Sequence, residues 1–174
     1  VARDSSFTLT GAQDGVEVYG GFSGGEMSRS ARSPASNVTV LSGDVGGNDA
    51  TDADGVTETP SGISGENSNH VLALDGTESP ITTATVIDGV RVTAGQADGA
   101  SFPDGSGGGL LCRANASGAE CSPTLASIVF AGNTATADGG ALLNLSRNGV
   151  SNPTITGATF SENTATENGG AISN

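Results

Sequence analysis

Two stretches of this chain align with each other without a gap, thirty residues apart: Ser122 to Asn144 and Asn152 to Asn174. Leu125, Ile128 and Phe130 correspond to Ile155, Ala158 and Phe160, and Asn133 corresponds to Asn163. Gly139-Gly140-Ala141-Leu142 corresponds to Gly169-Gly170-Ala171-Ile172. A fixed period of this size marks a solenoid, propeller or array, whose single unit cannot bury its own apolar face. Within each unit the apolar runs are too short for a helix, and Gly-Gly interrupts the chain before the next run. Short strands joined at sharp corners describe one rung of a β-helix.

Earlier copies are degenerate. Ile87, Val90 and Val92 repeat the Leu125, Ile128, Phe130 spacing, and Gly107-Gly108-Gly109-Leu110-Leu111 repeats Gly139-Gly140-Ala141-Leu142-Leu143. Between them, Gln96 to Ser106 is an insertion expected to loop out. Further strands are expected within Ser6–Thr10, Gly15–Tyr19, Val38–Leu41 and His70–Leu74. The expectation is an all-β, right-handed parallel β-helix of roughly five to seven rungs. It forms one segment over residues 1–174, with degenerate, long-looped rungs in 1–84 and more regular ones in 85–174. A narrow core of Val, Ile, Leu, Ala and Thr also explains the absence of tryptophan. Stacking should place Phe130 against Phe160 and Leu125 against Ile155. Asn133 and Asn163 should form an amide ladder; the plainer alternative is a pair of exposed turn asparagines.

The motifs Phe130-Ala-Gly-Asn133 with Gly139-Gly140-Ala141-Leu142, and Phe160-Ser-Glu-Asn163 with Gly169-Gly170-Ala171-Ile172, resemble the FxxN and GGA(I/L/V) signatures of chlamydial polymorphic outer membrane protein repeats. The upstream half is similar to large secreted bacterial β-helix proteins of the choice-of-anchor type. Asp14-Gly-Val-Glu-Val-Tyr-Gly-Gly-Phe22, Asn37-Val-Thr-Val-Leu-Ser-Gly-Asp44, Asn67-Ser-Asn-His-Val71 and Ile87-Asp-Gly-Val-Arg-Val-Thr-Ala-Gly95 carry that likeness. The resemblance implies a secreted or cell-surface bacterial protein with further repeats and an anchor. The chain is accordingly expected to be a fragment of a longer one.

Charge narrows the partners. The net charge is −13, and all six basic residues are arginine. Such a surface repels nucleic acid and anionic membrane. No apolar run is long enough for a membrane-spanning helix, so no direct membrane insertion is expected. The expected partners are other surface or matrix proteins, glycans, or further copies of the chain. Cys112 and Cys121 flank a polar segment, Arg113 to Glu120, and are expected to pair as a disulfide, which implies an oxidising compartment. Without CxxC spacing or a nearby histidine they make a poor zinc site.

Catalytic chemistry is weakly represented. The oxygen-rich loop with Asp44, Asp49, Asp52 and Asp54 is the one candidate for calcium, although the EF-hand spacing fails; its plainer reading is a solvated acidic loop, and no other cofactor is expected. Asp88, Arg91, Asp98 and Asp104 are the residues from which a polysaccharide lyase or hydrolase could be built. His70, the single histidine, reads as structural. Gly21-Phe22-Ser23-Gly24-Gly25 matches a nucleophile-elbow pattern but lacks the α/β context. Sequons occur at Asn37, Asn115 and Asn144. The expected role is a structural or adhesive surface rod, possible in filament form, with a carbohydrate-active enzyme or carbohydrate-binding module as the rival class.

Overall fold

The computed structural model describes residues 3–174; residues 1 and 2, where the expected 1–174 segment begins, lie outside the described residues. The first turn contains β1 (Phe7–Thr10), β2 (Glu17–Tyr19) and β3 (Val40–Ser42). The second contains β4 (Leu72–Asp75), β5 (Val86–Asp88), β6 (Arg91–Thr93) and β7 (Gln96–Ala97). The third contains β8 (Leu110–Ala114), β9 (Thr124–Ala126), β10 (Val129–Ala131) and β11 (Thr134–Ala135). The fourth contains β12 (Leu142–Ser146), β13 (Thr154–Thr156), β14 (Thr159–Ser161) and β15 (Thr164–Ala165), and β16 (Ile172–Ser173) opens the fifth. No α-helix occurs among the described residues, and so none is long and apolar enough to cross a membrane.

Every ladder is parallel and joins one turn to the next. The longest runs β1-β4-β8-β12-β16; two four-stranded ladders, β2-β5-β9-β13 and β3-β6-β10-β14, form the other walls; β7-β11-β15 makes a short fourth. This is a parallel β-helix, with five levels in its longest wall. Extra residues of the first turn go into excursions between β2 and β3 and between β3 and β4. Two loop boundaries differ from the sequence expectation. Gln96–Ala97 is not part of the looped-out insertion but pairs with Thr134–Ala135, so the excursion starts after it. Arg113 and Ala114 belong to β8 rather than to the loop between the cysteines. Arg113 stays in the strand because Asp75 lies directly opposite in β4 and forms an ion pair with it.

The core follows from the register. Leu72, Leu110, Leu142 and Ile172 stack in the long wall. Ile87, Leu125 and Ile155 stack in the second. Leu41, Val92, Phe130 and Phe160 stack in the third. The Phe130 and Phe160 rings lie 5.1 Å apart and are within 4° of coplanar. The disulfide Cys112–Cys121 is present and fully buried, in the same column as Leu74.

The Asn ladder is also present, and it does more than join two amides. Asn133 Oδ1 accepts the Gly95 N–H (3.0 Å), and Asn133 Nδ2 donates to the Val92 carbonyl (3.0 Å), both in the turn beneath. One turn on, Asn163 Oδ1 accepts the Asn133 N–H (3.1 Å), and Asn163 Nδ2 donates to the Phe130 carbonyl (2.9 Å). Each amide thus satisfies corner groups that stacking has removed from water. Thr134 with Thr164, and Asp138 with Asn168, add further thirty-residue links.

The Gly-Gly corners have two separate causes. Gly139 and Gly169 have φ of +64° and +61°, the left-handed region that side chains disfavour. Gly140 has ordinary φ but no room, since a Cβ there would sit 2.3 Å from the Thr164 carbonyl oxygen and 2.4 Å from that of Gly170.

Phe130→Ala should cost about 3–5 kcal/mol in urea unfolding, as for a large buried aromatic. Phe160→Ala should cost less, because Phe160 is only partly buried. The Cys112→Ala/Cys121→Ala double variant should fold but lose about 2–4 kcal/mol; an unchanged urea midpoint would contradict the core placement of the bridge.

Candidate functional site

The repeat residues are accounted for by packing and corners, so a site has to be sought in the loops and on the outer faces. The loop with Asp44, Asp49, Asp52 and Asp54 spends its carboxylates on its own turns. Asp44 accepts the N–H groups of Gly47 (2.7 Å), Asn48 (3.2 Å) and Asp49 (3.0 Å). Burial opposes ionisation of Asp44, yet these N–H groups hold its pKa below the ordinary carboxylate value. Asp49 accepts from Ser64 N–H (2.8 Å) and Asn67 Nδ2 (2.7 Å). Asp52 accepts from the N–H groups of Asp54 and Val56, both at 2.9 Å. Asp54 faces Arg91 at 3.8 Å. No group of three or more His, Cys, Asp or Glu side chains able to hold a metal ion forms among the described residues. The loop lies against the solenoid, with the Thr57 carbonyl accepting from Thr93 Oγ1 (2.6 Å).

The candidate catalytic residues are dispersed. Asp88 pairs with Arg32, clamping the β2–β3 excursion onto the wall, and Asp98 pairs with Arg3. Ser23 has no histidine partner; its hydroxyl and N–H both donate to Glu26 Oε1, at 2.9 and 2.6 Å. The N–H groups of Ser23 and of Glu26 itself lead in holding the Glu26 carboxyl down to about 2. This Gly-Phe-Ser-Gly-Gly segment is therefore a turn that cradles its own carboxylate.

Sequence reasoning missed the outer face of the long wall. Leu111, Leu143 and Leu145 point away from the core and form a second small cluster. The loop 98–106 borders that cluster: Phe102 lines a groove beside Leu143 and Leu145, and Pro103 lines another beside Leu111. The Arg147 guanidinium stacks over the Phe102 ring at 5.1 Å. The signal was available, since Leu110-Leu111 and Leu142-Leu143 break the in-out alternation of a half-buried strand.

The second groove, of about 400 Å³, runs over β1, β4 and β8 and is walled by Pro103 and Asp104. Asp4, Asn69, His70, Asp75 and Arg113 also line it. His70 is 8 % exposed, and its Nδ1 lies 3.0 Å from the Gly107 carbonyl. A carbonyl only accepts, so Nδ1 carries the proton and Nε2 keeps its lone pair. Burial, which outweighs that hydrogen bond, pushes the His70 pKa below its ordinary value.

The sign of the pH dependence follows. With a depressed folded pKa, the unfolded chain takes up the proton first. The His70 contribution is therefore complete above the unfolded value of about 6.5 and is lost as pH falls from there towards the folded value. In His70→Gln the decline in urea midpoint just below pH about 6.5 should flatten; an unaltered slope would show that another group drives it.

The family model of the Chlamydia polymorphic membrane protein (Chlamydia_PMP) repeat matches residues 127–145 and 157–174. No curated protein matches the chain. No solved structure matches it either. The matched segments contain the Phe130/Phe160 stack, the Asn133/Asn163 ladder and both Gly-Gly corners. Two segments of the chain are thus similar to a membrane-protein repeat, and both lie on the parallel β-helix.

Proposed function

We propose that this chain is part of a bacterial cell-surface or secreted rod whose role is structural or adhesive rather than catalytic. The observation that carries the reading is the unbroken stacking of the matched repeats, because it commits the distinctive residues of the motif to holding turns together. The acidic residues put forward for chemistry are engaged in turns and ion pairs, as Asp44, Asp88 and Asp98 are, which also favours a scaffold. The rod presents its excursions, notably 98–106 and the β3–β4 loop, to surface or matrix proteins, to glycans, or to further copies of itself. An oxidising compartment suits the buried disulfide.

Display of the chain on a non-adherent bacterium should raise retention under flow on surfaces coated with matrix protein or glycan, relative to cells displaying an unrelated domain. The purified chain should release no product from a polysaccharide panel followed by reducing-sugar and lyase absorbance assays. Turnover abolished by Asp88→Ala or Arg91→Ala would overturn the non-catalytic reading. Unchanged retention on every surface would overturn the adhesive one.

A further inference from the structure

We draw no further inference here: the strongest candidate, the open edge that β13, β14 and β16 present at one end of the solenoid with Ile155, Phe160 and Ile172 only half-buried along it, carries nothing, because nothing in the structure shows what covers it.

Discussion

Parallel strands stacked in register make each side chain sit on its counterpart in the next turn, and the rest of this molecule is arranged to satisfy that condition. It rewards identical residues at equivalent positions. Phe130 lies flat on Phe160, and Leu125 lies between Ile87 and Ile155. It also creates a problem at the corners, where N–H and C=O groups no longer face their own ladder and water is excluded. Asn133 and Asn163 solve it by reaching one turn down, each accepting from one backbone group and donating to another. Glycine solves the matching steric problem, by its φ at Gly139 and by its lack of a Cβ at Gly140. The thirty-residue motif is thus one set of conditions imposed by stacking.

The acidic residues answer to a different need. The first turn carries long excursions that no ladder holds, and carboxylates organise them from within. Asp44 gathers three successive N–H groups and Asp52 closes a turn on Val56, whereas Asp14 reaches the second turn, accepting from the N–H and hydroxyl of Thr82 and the hydroxyl of Thr85. Three ion pairs then fasten segments distant in sequence: Arg32 to Asp88, Arg3 to Asp98, and Arg113 to Asp75. A composition that invites a search for calcium ligands is largely spent on loop geometry. In the groove over β1, β4 and β8, by contrast, Asp75 pairs with Arg113 while Asp104 has no ion-pair partner among the described residues.

Much of the fold was legible because stacking writes itself into the chain. The offset between Phe130 and Phe160 predicted the ring contact, and the shared position of the two asparagines predicted the ladder. Strands in the degenerate half were also placed to within a few residues, as Phe7–Thr10, Glu17–Tyr19, Val40–Ser42 and Leu72–Asp75 show. The errors fell where local composition and pairing disagree. Gln96–Ala97 looks like loop but has a strand beside it at Thr134–Ala135. Arg113 looks like loop but has Asp75 opposite. The groove was illegible for a related reason. Asp4, His70 and Asp104 are far apart in the chain, and no periodicity links them.

The sequence alone determined the architecture, since periodic apolar residues, asparagines and glycines have one arrangement that satisfies them all, and that arrangement repeats at the sequence period. Only the tertiary structure decided which polar groups are left over. Whether a carboxylate is a turn clamp, half of an ion pair or an open acceptor depends on which backbone N–H or guanidinium the winding of the chain brings within hydrogen-bond reach. Those distances lie between turns, not along the sequence. Asp88 and Asp104 are both followed by glycine, yet one is locked to Arg32 and the other faces an open groove.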